Sequence, residues 1–261
     1  MNTANQQRMK GSPMGFDIKD KVVLVTGANR GIGKAILEEA LTRGASKVYA
    51  AVRRLESAED LVAEHGDKVV AVHLDLDDPQ SIVDAAKTAT DVDVVVNNAG
   101  VLRLQKALES DAIETLQFEL NANVYGLMRV AQAFAPSLKS NGGGALVQLN
   151  SVASVKAFPD FSTYSASKAA SYSITQSLRE SLKEQNTQVV SVHPGPIDTD
   201  MGSDAGFDEA ASPQLVATSI FDAIAEERFH VWPDPMAEQI NSAYQSFAEQ
   251  VVETSMEESP A

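Results

Sequence analysis

From Lys21 onward, short runs of aliphatic residues alternate with longer amphipathic stretches. The runs are Val22–Thr26, Val48–Val52, Val69–Leu74, Val92–Val96, Ala145–Leu149 and Val189–Val192. They are nearly continuous rather than apolar at every second position, which is the pattern of strands covered on both faces. Between them a helical period marks Ile32–Arg43, Ser57–Glu64, Gln80–Thr88, Ala122–Lys139 and Thr163–Glu184. The punctuation agrees. Gly44 stops the first helix, Asp78-Pro79 supplies an N-cap and a first helical residue for the third, and Asn141 with Gly142–Gly144 makes a loop before the fifth run. Beyond Val192 the pattern weakens, then resumes as a helix from Pro213, a short apolar run at Phe229–Trp232 and a last helix. Strict alternation of strand and helix predicts an α/β fold: a doubly wound parallel sheet of about seven strands, with right-handed crossovers and helices on both faces.

Composition narrows the function classes. A chain of 261 residues, 44% hydrophobic, suffices for one core and is short for two domains. Residues 1–16 read as a polar leader with Met14 as an alternative start, 17–252 as a single domain and 253–261 as an acidic tail. A formal net charge of -15 argues against nucleic acid and against an anionic membrane surface as partners. The absence of Cys excludes disulfides and fits a reducing compartment, and no apolar run reaches the length of a membrane span, so a cytoplasmic protein is expected. His65, His73, His193 and His230 lack metal-ligand spacing, and no metal is expected; His193, before Pro194-Gly195, reads as a packed residue at a strand end.

The first strand ends in Thr26-Gly27-Ala28-Asn29-Arg30-Gly31-Ile32-Gly33 and a helix follows at once. Glycines at such a junction let the backbone turn sharply and approach a pyrophosphate, whose charge a helix N-terminus stabilises. The spacing is Gly-x-x-x-Gly-x-Gly. With it, in order along the chain, come Asp75 after the third strand, Asn97-Asn98-Ala99-Gly100 after the fourth, and Pro194-Gly195 with Thr199 after the sixth. In this set the chain resembles the compact, single-domain branch of the short-chain dehydrogenase/reductase family, from about Lys21 to at least Pro235. The resemblance implies a Rossmann-type fold and a nicotinamide dinucleotide cofactor. The implied contacts are Gly27, Asn29, Arg30, Gly31, Ile32 and Gly33 in the loop, Asp75 and Leu76 at the adenine, Asn98, Ala99 and Gly100 beside the cofactor, and Pro194, Gly195, Ile197 and Thr199 near the nicotinamide.

An acid at the end of the second strand would bind the adenosine ribose 2′-hydroxyl and repel a 2′-phosphate; arginine accommodates that phosphate. Here the strand runs Val48-Tyr49-Ala50-Ala51-Val52 into Arg53-Arg54, and Arg30 lies in the glycine loop. Relatives with basic residues at these places generally use NADPH, so NADP(H) is the expected cofactor.

Tyr164 and Lys168 stand four apart on a helical stretch and project from one face. Carbonyl reduction needs an acid at the developing alkoxide, the reverse reaction needs a base, and an adjacent ammonium favours the phenolate that a free tyrosine forms only near pH 10. Ser151 lies thirteen residues before Tyr164, matching the family's catalytic serine, which orients the substrate oxygen. Asn123, in Asn123-Val124-Tyr125-Gly126, matches the asparagine that anchors a water linking the lysine to solvent, with Asn121 as a nearby decoy. The resemblance gives Tyr164 and Lys168 places in cofactor binding as well.

Substrate choice in this fold comes from loops at the C-terminal ends of the strands. Residues 198–212 are acidic and contain glycine, as a mobile lid would. Ser151, Val152, Phe158 and Met201, with Phe161 and Phe207, are candidates to contact an apolar or aromatic ketone or aldehyde. The family usually forms dimers or tetramers, so a homotetramer is expected first and a homodimer second, with Ala122–Lys139 and Thr163–Glu184 as pairing helices. The competing reading is a non-catalytic NADP-binding sensor or scaffold on the same fold.

Overall fold

The computed structural model describes residues 16–206 and 210–254. Its strands are β1 (Val22–Thr26), β2 (Lys47–Val52), β3 (Val69–His73), β4 (Val94–Asn97), β5 (Gly144–Leu149), β6 (Thr187–Val192) and β7 (His230–Val231). They form one sheet in the order β3-β2-β1-β4-β5-β6-β7, and every neighbouring pair is parallel. Among the described residues the helices are α1 (Gly31–Thr42), α2 (Glu59–His65), α3 (Pro79–Thr88), α4 (Ala112–Leu120), α5 (Gly126–Ser140), α6 (Ser162–Lys183), α7 (Asp200–Asp204), α8 (Pro213–Ala225) and α9 (Pro235–Phe247). This is the Rossmann-type sheet expected from the sequence. The order reverses between β1 and β4, which opens a crevice at the carboxyl ends of those strands.

The unbroken apolar runs are explained by two cores, one on each face. In β1, Val23 and Val25 pack into one core and Leu24 into the other; in β4, Val94 and Val96 oppose Val95; in β5, Ala145, Val147 and Leu149 oppose Leu146. Successive side chains leave a strand on opposite faces, so both sets must be aliphatic. Ile36 and Leu37 of α1 and Ile220 and Phe221 of α8 close the first face. Ile82 of α3, Phe134 of α5 and Tyr172 of α6 close the second. Phe16 packs against the first core, and Lys21 Nζ lies 4.9 Å from its ring centroid.

Helix starts follow local chemistry. Asp78 accepts from Gln80 N–H at 3.0 Å ahead of Pro79, and Ser212 and Asp234 cap α8 and α9 in the same way, each before a proline. One element departs from the sequence expectation. The helix predicted over Ala122–Lys139 begins ten residues earlier, as α4, and passes through a π-helical turn, Asn121–Tyr125, into α5. The buried face of α4 is Ala112, Thr115 and Glu119, while Ile113 is 75% exposed. Its polarity is inverted relative to an ordinary amphipathic helix, so no apolar stripe announced it. No helix among the described residues is long and apolar enough to cross a membrane.

Candidate active site

The glycine loop is shaped by close approach. Gly27 has φ +65°, and a Cβ on Gly33 would lie 2.2 Å from the Gly27 carbonyl oxygen and 2.6 Å from Asn98 Nδ2, so only glycine fits at 33. Asn98 Nδ2 donates to the Thr26 carbonyl at 2.8 Å, and Thr26 Oγ1 accepts from the N–H groups of Asn98 (3.0 Å) and Ala99 (2.9 Å). The loop after β1 and the loop after β4 are thereby one unit. Thr26 was not among the expected site residues; its position as the last, buried residue of β1 was the available signal. The first turn of α1 has neither a side-chain cap nor an acidic residue, which leaves its N–H groups and positive dipole end for an anion.

Ser151, Tyr164, Lys168 and Asn123 come together at the carboxyl end of β4 and β5. Ser151 lies two residues beyond β5, in extended backbone. Its hydroxyl accepts from Ala153 N–H at 3.1 Å, donates to the Pro194 carbonyl at 3.4 Å, and acts on the Tyr164 phenol, whose proton loss it favours. Tyr164 and Lys168 stand one turn apart on α6, with Lys168 Nζ 5.7 Å from the Tyr164 ring centroid. Lys168 is buried and donates to the Leu149 carbonyl at 2.7 Å. Asn123 sits in the π-helical turn; its amide donates to Val101 O and Ser167 Oγ, both at 2.9 Å, and its Oδ1 accepts from Val101 N–H at 2.9 Å. Asn121 turns away, bonding Asp77 and Arg129. A Cβ on Gly100 would meet Asn123 Oδ1 at 3.0 Å and Lys168 Nζ at 3.6 Å, so Gly100 is the floor between them.

Burial pushes the Tyr164 phenol up to about 12; Ser151 opposes this and the Glu119 carboxylate reinforces it. Burial also lowers the Lys168 ammonium to about 8. His193 is a packed strand-end residue, as expected: fully buried, stacked on Trp232 at 4.4 Å, bonded to Ser191 and Ser154, and held neutral by burial down to about 3.

Pro194-Gly195 is held by Asp234, which no sequence motif marks as part of the site. Asp234 accepts from Gly195 N–H at 2.6 Å through Oδ2, while its Oδ1 caps α9. Its pairing with Pro235 marked a helix cap, and nothing local in the sequence marked the second bond. The segment 198–212, expected as a mobile lid, is anchored at both ends: Ile197 bridges Ala211, Asp198 N–H donates to Ala211 O at 2.8 Å, and Thr199 caps α7. Thr199 also lies against the glycine loop, since a Cβ on Gly31 would be 3.1 Å from its Cγ2. Phe207 lies outside the described residues.

The family model for short chain dehydrogenases matches residues 21–210. The chain belongs to that family. Among its relatives, an oxidoreductase of Staphylococcus epidermidis is 32% identical over 79% of this chain and 90% of its own length. An NAD-dependent glycerol dehydrogenase of Listeria innocua is 33% identical over 75% of this chain and 78% of its own. A solved short chain dehydrogenase of Burkholderia cenocepacia in complex with NADP is 34% identical, with TM-score 0.82 over 92% of this chain and all of that one. This short-chain dehydrogenase is thus an oxidoreductase of a nicotinamide dinucleotide, NAD or NADP.

The dehydrogenase has the features such a cofactor needs: a loop where side chains are excluded, an uncapped helix N-terminus and a buried ammonium. Asp75 is part-buried beyond β3, and Leu76 packs against Gly126. Asn29 and Ile32 are part-buried in the loop, and Ile197 is buried. Arg53 and Arg54 are exposed at the end of β2 and make no ion pair among the described residues. Arg30 is engaged, pairing with Asp200 at the start of α7 at 2.7 Å. Of the substrate candidates, Val152 is buried, Phe158 is half-buried and Met201 is exposed. Met236 joins them from α9: it is 40% exposed, and its Cβ is 3.2 Å from the position a Gly195 Cβ would take.

Proposed function

We propose that this dehydrogenase reduces a small apolar or aromatic carbonyl compound with NADPH, the same site oxidising the corresponding secondary alcohol in reverse. The observation that carries the reading is the grouping of three side chains: Ser151 acts on the Tyr164 phenol, and the Lys168 ammonium lies one helical turn away, 5.7 Å from the Tyr164 ring centroid. When bound, the nicotinamide supplies the hydride. The chain's own residues handle position and proton. Ser151 orients the substrate oxygen, Tyr164 donates its proton to the developing alkoxide, and Lys168 stabilises the resulting phenolate. Asn123, fixed by its bonds to Val101 and Ser167, braces the side of the site from which the proton is replaced.

The electrostatics favour reduction. A phenol at about 12 keeps its proton at neutral pH, and lowering it to neutrality takes about 7 kcal/mol of preferential phenolate stabilisation. Donation by Tyr164 needs none of that in advance, whereas alcohol oxidation does. Reduction at neutral pH and oxidation at alkaline pH are the expected pairing.

NADP(H) over NAD(H) rests on Arg53 and Arg54, free at the end of β2, on Val52 where a ribose-binding acid would stand, and on Arg30. The Arg30–Asp200 pair is solvent-exposed on both sides, so it exchanges readily for a phosphate. Carbonyl reductase activity across ketones, aldehydes and quinones, with kcat/KM at least about tenfold higher for NADPH than for NADH, is the expected result. Tight NADPH binding with no turnover of any carbonyl would favour a sensor or scaffold. A homotetramer or homodimer pairing through α5 and α6 completes the proposal.

A further inference from the structure

Glu119 has no part in the mechanism above, yet it is one of the most deeply enclosed charged residues of the protein. It is fully buried on α4, one turn before Asn123 and on the inverted polar face that hid this helix from the sequence pattern. Its Oε1 accepts the Arg103 N–H at 2.9 Å, which fixes the segment that follows Gly100 along the wall of the site. Its Oε2 and the Thr163 hydroxyl are both buried without a well-formed hydrogen bond, and Thr163 is the side chain that most offsets the burial of the carboxyl. Thr163 immediately precedes Tyr164. One carboxylate therefore bonds the wall segment through Oε1 and leaves Oε2 unpaired near the Thr163 hydroxyl of the first turn of α6.

Burying a carboxylate costs several kcal/mol unless it is paired and fully hydrogen-bonded, which Glu119 is not, and a leucine or glutamine would fill the same space. We propose that Glu119 is a positioning residue for the reaction: buried between the wall segment after Gly100 and the turn carrying Tyr164, it holds the first through the Arg103 N–H and presents its second oxygen beside the second. The proposal rests on Tyr164 being the proton carrier.

The groups facing Glu119 are few. From the wall segment come the Arg103 N–H and its guanidinium, which lies over the Phe118 ring at 4.0 Å. From α6 come Thr163 and Tyr164. Burial raises the carboxyl above its usual range, while Thr163 and Arg103 pull it back. In the alkaline range where alcohol oxidation needs the phenolate, negative charge on Glu119 opposes phenolate formation.

Glu119→Gln keeps the shape and an acceptor for Arg103 while removing the charge. The test is the pH profile of kcat for alcohol oxidation by wild type, Glu119→Gln and Tyr164→Phe, all with saturating cofactor. The acid limb of Glu119→Gln is expected to move down by about one pH unit, with the fold and cofactor KM unchanged. Glu119→Leu, which also removes the tie to Arg103, should lower kcat more than Glu119→Gln does. A Glu119→Gln profile superimposable on wild type, with Tyr164→Phe inactive, overturns the role of Glu119 alone. A fully active Tyr164→Phe overturns the reading beneath it.

Discussion

Asp234 Oδ2 accepts a 2.6 Å hydrogen bond from the backbone of Gly195 while its other oxygen caps α9, so one buried carboxylate joins the Pro194-Gly195 turn to the last helix. A Cβ on Gly195 would lie 2.6 Å from that side chain. The turn expected to face the nicotinamide is thus positioned from thirty-nine residues away in sequence. Asp234→Ala removes both bonds. It should cost about 2–4 kcal/mol of stability and raise KM for the dinucleotide more than KM for the carbonyl. Urea unfolding and steady-state kinetics check this, and equal effects on both KM values would mean that Asp234 serves the helix only.

Gly33→Ala places a methyl 2.2 Å from the Gly27 carbonyl oxygen, backbone that cannot give way cheaply. Overpacking of about 1–3 kcal/mol is expected, and the loop must open to relieve it. Wild type should gain melting temperature on adding NADPH, and the variant should not.

Arg30 is held by Asp200 and must leave it to meet a 2′-phosphate. Asp200→Asn should tighten NADPH by up to about fivefold, because an exposed pair is weak, and leave NADH unchanged. Fluorescence titration with each cofactor reads the difference. Unchanged affinity for both would place the 2′-phosphate contact on Arg53 and Arg54.

Lys168 titrates near 8 because burial disfavours its charge. Reduction needs the ammonium, so kcat/KM for carbonyl reduction should fall as pH rises through about 8. A flat profile to about pH 9.5 would count against the ammonium as the charge partner of Tyr164.

His193 is neutral when folded, its value lowered from 6.5 to about 3. The unfolded chain binds a proton below about 6.5 that the folded protein refuses until about 3, so stability falls with pH across that window. Between about pH 7 and about pH 5.5 this one residue accounts for about 1.2 kcal/mol. His193→Gln should show a correspondingly smaller loss of urea midpoint over the same interval.

The sheet was legible because each strand has to be apolar on both faces, and the glycine loop because Gly33 tolerates no substitute. Tyr164 and Lys168 were legible because a local helical spacing sets their relation. What escaped was long-range or inverted in polarity. Asp234 caps a helix and also acts on Gly195; Arg30, expected at a 2′-phosphate, pairs with Asp200; Glu119, which no motif singles out, is buried. Helix α4 escaped with Glu119, because a helix that buries Thr115 and Glu119 and exposes Ile113 carries no apolar stripe.

The role proposed for Tyr164 is to move the proton in an NADPH-dependent carbonyl reduction. Single-turnover oxidation of bound NADPH by a carbonyl substrate, in wild type and Tyr164→Phe, tests it most directly. A loss of at least about a hundredfold in rate, with NADPH affinity held within about twofold, is the predicted result. Wild-type rates in Tyr164→Phe would contradict it.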